Sequence, residues 1–177
     1  MPAPMSALDA ALLVLVLHGA LGAFDTFYCH EWKARLPKQP WAGRELALHA
    51  ARSLLYVPLF VGLAWFEWHG AFGWLLFGAF AVEYLITLAD SIVEDRTRRL
   101  SRAERVVHMI LGATTGAYVA LVIYHASIEW IDAPTALRAT QHGVVSIILS
   151  IYAVSVTISG VRDLLASREH RVGNTRR

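Results

Sequence analysis

The chain has a single cysteine, Cys29, so no intrachain disulfide can form. It has no lysine or arginine before Lys33, and the N-terminus therefore lacks the basic region of a secretory signal. The first apolar stretch also carries His18 and Asp25, and it is expected to be retained. Charge is scarce, at 17% of the residues, and no linker or low-complexity run divides the sequence, so residues 1–177 read as one domain. Basic residues are nearly missing from one set of connections: between the second and third apolar stretches, and between the fourth and fifth, only Arg138 occurs.

What is present is apolar. Hydrophobic residues make up 56% of the chain, above the usual share for a soluble domain of this size. Residues 8–28, 46–66, 70–92, 106–124 and 143–161 form five stretches, each about as long as a membrane-crossing helix needs to be. The expected fold is an all-α, multi-pass integral membrane protein with five transmembrane helices. Lys33, Arg35, Lys38 and Arg44 follow the first stretch, Arg96, Arg98, Arg99, Arg102 and Arg105 the third, and Arg162, Arg168, Arg171, Arg176 and Arg177 the fifth. The positive-inside rule then places the N-terminus outside and the C-terminus in the cytoplasm, in the cell's inner (plasma) membrane. The tryptophans fit interfacial belts, with Trp32 and Trp41 inside and Trp65, Trp68, Trp74 and Trp130 outside. The net charge of +2 reflects this topology; basic residues in short loops beside helix ends do not make a nucleic-acid surface.

A pattern recurs across the first four stretches. Asp25 is followed by Arg35-Leu36 and by Glu45 and His49; Asp90 is followed by Arg99-Leu100 and by Glu104 and His108. His18 and Glu83 each lie seven residues before the Asp, and Cys29 and Glu94 four after it. Spacings of four and seven return to nearly the same helix face. The match defines a parallel two-helix repeat, with unit one at about 8–68 and unit two at about 70–126, and an extra helix at about 136–163. Helices 1–4 are expected to form the bundle, with helices two and three joined as a tight hairpin through His69-Gly70. Gly19, Gly22, Gly112, Gly116 and Ala117 are expected to permit close helix contact.

Ionisable groups within a membrane cost at least about 2.5–3.5 kcal/mol each near its centre, so they face the bundle interior and find partners. Asp25, Glu45, His49, Asp90, Glu104 and His108 all fall near the cytoplasmic helix ends. Glu45 and His49 share one helix face, and Glu104 and His108 another. Four carboxylates and two imidazoles suit two divalent metal ions: carboxylates bridge cations and neutral imidazoles complete the coordination. In composition this set resembles the di-iron and di-manganese carboxylate four-helix bundles. The likeness rests on Glu45, His49, Glu104 and His108, with Asp25 and Asp90 as the remaining acids. Those proteins space Glu and His by three rather than four, so neither their fold nor their activity carries over. The histidine boxes of the membrane fatty-acid desaturases are absent.

The competing structural roles are plain. Ser101 and Glu104 have the spacing of a capping box, and Arg52 requires an acid, either Asp25 or Asp90. The spacing leaves Cys29, His30 and Glu94 open as further members, and it assigns Glu31 and Asp95 to solvent. His69, His125 and His142 fall near the outer surface and His170 in the tail.

The expectation is a membrane-embedded dinuclear metalloenzyme, a di-iron oxidoreductase of oxygenase or desaturase type, acting on a lipid-soluble substrate at the cytoplasmic side. Manganese or zinc are the other metals. Arg52, Glu83 and His18 are the candidate catalytic groups, and an electron-donor protein and a second copy of the chain are the candidate protein partners. The alternatives are a zinc-dependent hydrolase and a divalent-metal or proton transporter. The apolar outer halves of helices two and three speak against conduction. A haem carrier ligated by His18, His49 or His108 has no use for four acids. The plainest alternative is an accessory protein whose polar residues only hold helices together.

Overall fold

The computed structural model describes residues 4–175, with side chains through residue 170. Helix α1 (Ala7–Phe24) runs directly into a π-helical segment (Asp25–Lys33). A 3-10 turn (Leu36–Lys38) leads to α2 (Gly43–Trp65), strand β1 (Phe66–His69) and α3 (Ala71–Thr97). Then come α4 (Arg102–Glu129), strand β2 (Ala136–Ala139) and α5 (Val144–Thr175). Five helical segments, counting α1 with its π extension as one, are long and apolar enough to cross a membrane. Leu13, Leu17, Leu75, Leu85, Ile147 and Ile158 are each more than half exposed. A surface with so many exposed aliphatics suits lipid, since soluble monomers rarely show large contiguous apolar patches.

Helix starts follow from local chemistry. Ser6 Oγ accepts from the Asp9 N–H at 3.1 Å while Asp9 Oδ2 accepts from the Ser6 N–H at 3.2 Å, a capping box that opens α1. Ser101 and Glu104 do the same for α4, at 3.2 and 3.3 Å. Helix α2 has no side-chain cap, because Ala42 stands at that position. The first span ends at Lys33, and Arg35 takes a left-handed conformation (φ 49°) just before Leu36-Pro37.

Helix α2 packs most extensively on α5, and α1 on α4; α2 also meets α3, and α1 meets α5. The helices thus form an open ring in the order α3, α2, α5, α1, α4, and α3 and α4 touch only sparsely across the gap. The fifth helix is therefore integral to the bundle rather than an addition to four. It is also displaced from the expected 136–163: residues 136–139 form β2, and the helix runs from Val144.

The chain is all-helical as expected, with two four-residue strands added between helices. β1 and β2 pair antiparallel, with Phe66 opposite Ala139, Glu67 opposite Arg138 and Trp68 opposite Leu137. Glu67 facing Arg138 gives the one cation at this end an opposite charge across the ladder. Helices α2 and α3 are accordingly joined by a strand and Gly70 rather than by a two-residue turn. Gly70 has φ +58°, and a Cβ there would crowd Thr135.

The apolar core, built around Leu12, Leu15, Phe60, Leu63, Leu76, Val122 and Trp130, fills the half of the bundle nearest this ribbon. Trp130 is only 2% exposed, and the Trp68 ring lies over Gly62. These two are packing residues, not belt anchors; Trp32 and Trp74 are exposed as belts require. The opposite, basic end has only a small apolar cluster of Leu36, Ala42 and Leu46. The polar residues lie between.

Candidate metal centre

Asp25, Glu45, His49, Asp90 and Glu104 are all buried, at 5% exposure or less, and His108 is half-buried. The fold brings these six into one cluster at the basic end and adds three residues that spacing left open or hid: His30, Glu94 and Arg98. Asp25 Oδ2 lies 3.2 Å from His108 Nε2 and 3.4 Å from His30 Nε2. Asp90 Oδ2 lies 3.1 Å from His49 Nε2 and 3.3 Å from Arg52 Nη1, so Asp90 is the acid that Arg52 takes. His108 Nδ1 is 3.5 Å from Glu94 Oε2, and His30 Nε2 is 3.6 Å from Glu104 Oε1.

The π segment places His30. An α-helix carrying Asp25 and Cys29 inward would turn the next residue aside. The wider π turn brings Asp25, Cys29 and His30 inward together, all buried. No signal for π geometry stands in the sequence, so spacing could only leave His30 undecided. Glu94 is one turn beyond Asp90 on α3, and its position on the same stripe was the available signal. Cys29 is buried and unpaired by any disulfide.

Ligand-capable atoms gather in two groups. One atom from each of His30, Glu94, Glu104 and His108 lies within 4.8 Å of the others; so does one from each of Glu45, His49 and Glu94. Glu94 belongs to both, the position of a bridging carboxylate. Asp25 and Asp90 belong to neither group and pair instead with His108 and His49. That is the arrangement by which carboxylates orient metal-binding imidazoles.

Three buried carboxylate oxygens in the cluster have no hydrogen-bond partner among the described residues, Asp25 Oδ1, Glu45 Oε2 and Asp90 Oδ1, while Glu104 Oε1, His30 Nε2 and His49 Nε2 have ionic contacts to Arg98, Asp25 and Asp90. Unpartnered buried oxygens are costly, and a bound cation or ordered water would offset that cost. Asp25, Glu45, Asp90, Glu94 and Glu104 meet two fixed cations, Arg52 and Arg98, and three histidines, His30, His49 and His108. The two groups together offer three carboxylates and three imidazoles and no thiolate, oxygen and nitrogen donors of the kind that iron, manganese and zinc all accept.

Arg98 was read from the sequence only as part of the basic loop. Its guanidinium donates to Glu45 Oε1 at 2.9 Å and to Glu94 Oε1 at 3.2 Å, and lies 2.7 Å from Glu104 Oε1. Burial works against its charge, yet the bonds to Glu104 and Glu45 outweigh this and hold its pKa above the ordinary arginine value. Glu104 has both of its expected roles, one per oxygen: Oε2 closes the capping box, and Oε1 faces Arg98 and His30.

Deeper in the bundle a second polar cluster forms around Tyr56. Its hydroxyl lies 3.0 Å from His18 Nε2 and 3.1 Å from the Tyr118 hydroxyl, and donates to Glu83 Oε1 at 3.3 Å. Thr87 also donates to Glu83 Oε1, at 3.0 Å, and Thr114 Oγ1 is 2.9 Å from His18 Nδ1. His18 and Glu83 are thus in contact with one another through Tyr56 but not with the lower cluster. Two tyrosines in mid-helix, rather than at its ends, were the signal for this group.

A cavity of about 680 Å³ joins the two clusters, with His18, Tyr56 and Glu83 on one wall and Asp25, Asp90, Glu94 and His108 on another. Its remaining walls are mainly apolar, including Phe60, Phe77, Phe80 and Tyr152. Gly22, Gly112 and Gly116 line it, and a Cβ at any of them would meet nothing within 4 Å. The expectation of close helix contact at these three glycines is therefore corrected: they leave room. Gly19 alone of the four packs closely, against the Tyr152 ring.

Other polar residues have separate partners. Glu31 pairs with Arg162 rather than standing in solvent, whereas Asp95 is exposed as expected. His69 is bonded to Glu67, and His170 Nε2 is 3.0 Å from the Pro37 carbonyl.

No protein-family model, no curated protein and no solved structure matches this chain.

Proposed function

We propose that the chain is a multi-pass membrane metalloenzyme that holds two divalent metal ions, iron foremost, and oxidises a lipid-soluble substrate in its central cavity. The observation that carries this reading is the pair of ligand groups sharing Glu94 on the wall of a large, mainly apolar cavity. Its orientation follows the positive-inside rule, with the metal-binding end at the cytoplasmic face of the inner membrane and the β ribbon outside. The two Asp/Glu/His sets are read as the halves of a parallel repeat.

In this reading His30, Glu104 and His108 would hold one metal and Glu45 and His49 the other, with Glu94 available to both. Asp25 and Asp90 orient His108 and His49, and Arg52 holds Asp90 in place. Bound iron would supply the redox chemistry needed to use dioxygen. Hydroxylation and desaturation each draw two electrons and two protons from outside the substrate. Arg96, Arg99, Arg102 and Arg105 are exposed beside the cluster and offer a basic face to an acidic electron-donor protein. The aromatic walls position the substrate and exclude water.

The transporter reading is weakened by the ribbon-end core: beyond Tyr56 and Tyr118 the interior is packed with Phe60, Leu63, Leu76 and Val122. Elemental analysis of detergent-purified protein tests the proposal, with His49→Ala/His108→Ala as the control. Two equivalents of iron, lost in the variant, are expected. Two of zinc would redirect the chemistry to hydrolysis, and metal-free wild type would remove the enzyme reading altogether.

A further inference from the structure

Glu83 uses only one of its oxygens. Oε1 accepts from both Tyr56 and Thr87, while Oε2 has no hydrogen-bond partner among the described residues, and Glu83 lines the cavity at 3% exposure. A carboxyl oxygen that opens onto a mainly apolar cavity is a free acceptor for a donor group entering it. Glu83 lies seven residues before Asp90 on α3, and His18 seven before Asp25 on α1, so this acceptor stands about 10 Å from the metal-binding cluster along the bundle. Resting on the metalloenzyme reading for its chemistry but not for its binding, we infer that the cavity takes a neutral lipid alcohol. Its hydroxyl donates to Glu83 Oε2, and its hydrocarbon body extends toward the carboxylate and histidine cluster.

The chemistry of the walls selects this class. A fatty acid or phospholipid would set further acceptor oxygens against Glu83 Oε2, and Arg52, the guanidinium on the wall, is already paired with Asp90 at 3.3 Å. A plain hydrocarbon would leave Oε2 unpaired. Phe60, Phe77 and Phe80 match an apolar body, and the side-chain-free faces of Gly112 and Gly116 on α4 widen the space for it. Access is lateral. Tyr84 on α3 and Ile123 on α4 line the cavity and are 59% and 37% exposed, on either side of the gap where these helices scarcely touch.

Equilibrium binding to the full chain in lipid nanodiscs tests this. The probes are geranylgeraniol, cholesterol and a prenylated hydroquinone, each beside its methyl ether, with geranylgeranoic acid as the anionic control. At least one alcohol is expected to bind about tenfold more tightly than its ether, the order of the ratio that one added hydrogen bond gives. Glu83→Gln, folded and with unchanged metal content, should abolish most of that ratio, because the amide bonds an ether as readily as an alcohol. Gly116→Phe should block every alcohol by filling the space. Equal affinity for alcohol and ether, preference for the acid, an unchanged ratio in Glu83→Gln, or no binding of any probe to folded wild type would each overturn the inference. Repeating the titration under chelation separates the two readings: alcohol binding that persists without metal supports the cavity assignment even if metal analysis refutes the enzyme.

Discussion

The His30 ring stacks on the His49 ring, with centroids 4.5 Å apart and planes 6° from parallel. Two imidazoles in this contact cannot both carry a proton without strong repulsion, and both are buried among carboxylates. Neutral stacked imidazoles are the forms that bind metal. His30 comes from the π segment and His49 from α2, so the stack also fixes α1 against α2.

Replacing His30 by Ala is expected to remove a metal ligand and that contact together. Metal affinity should fall by more than the roughly 10–100-fold typical of losing an orienting partner. Titration of chelator-stripped protein with iron under anaerobic conditions measures it. Wild-type affinity in His30→Ala would exclude His30 from the centre.

The roles of Glu94 and the two aspartates can be told apart by stoichiometry. Glu94→Gln removes the one carboxylate common to both groups, and both metals are expected to be lost. Asp25→Asn and Asp90→Asn keep the shape of the partners of His108 and His49, and each should retain both metals at roughly 10–100-fold weaker affinity. One metal lost in Glu94→Gln, with the other bound normally, would show that Glu94 does not bridge.

Much of the site stood in the sequence because membrane insertion makes charge conspicuous. Asp25, Glu45, His49, Asp90, Glu104 and His108 stood out as ionisable residues near the ends of apolar stretches, in two matching sets. His30 was obscured because its inward direction depends on a π turn, a backbone state without a composition signature. Arg98 was obscured by its neighbours: in a loop rich in arginine, which one turns inward depends on the tertiary position of Glu45 and Glu104. The strands were too short to see, at four residues each, and their pairing joins segments about 70 positions apart in the chain. The helices were legible from length and hydropathy alone, but their order around the ring was not, since that follows from side-chain packing such as Gly19 against Tyr152.

Glycine substitutions should divide by position. At Gly22, Gly112 and Gly116 an added Cβ meets nothing within 4 Å, so Ala there gains roughly 0.5–1 kcal/mol from helix propensity. At Gly19 and Gly62 the Cβ presses into the rings of Tyr152 and Trp68, and overpacking of this kind costs about 1–3 kcal/mol. Thermal unfolding in detergent should therefore show a raised Tm for Gly116→Ala and a lowered one for Gly62→Ala. A lowered Tm at Gly116 would indicate that the cavity is closed in solution.

Arg98 gives the sharpest test of whether metal belongs in the cluster. Its guanidinium is the cation among Glu45, Glu94 and Glu104, and it is nearly buried. Removing one partner from a buried ionic group usually costs about 3–5 kcal/mol, because the remaining charges stay desolvated and unpaired. Arg98→Met should therefore unfold at clearly lower temperature than wild type under chelation. Two divalent cations bound to the same carboxylates would replace the lost charge, and a ligand that binds only the folded state stabilises it in proportion to the logarithm of its saturation. Iron is accordingly expected to raise the Tm of Arg98→Met by more than it raises that of wild type, since the variant has no internal cation competing for Glu45 and Glu104. If Arg98 is the only cation these acids ever hold, the variant will be destabilised equally with and without metal, and the cluster is then an ion-pair network that joins α2, α3 and α4.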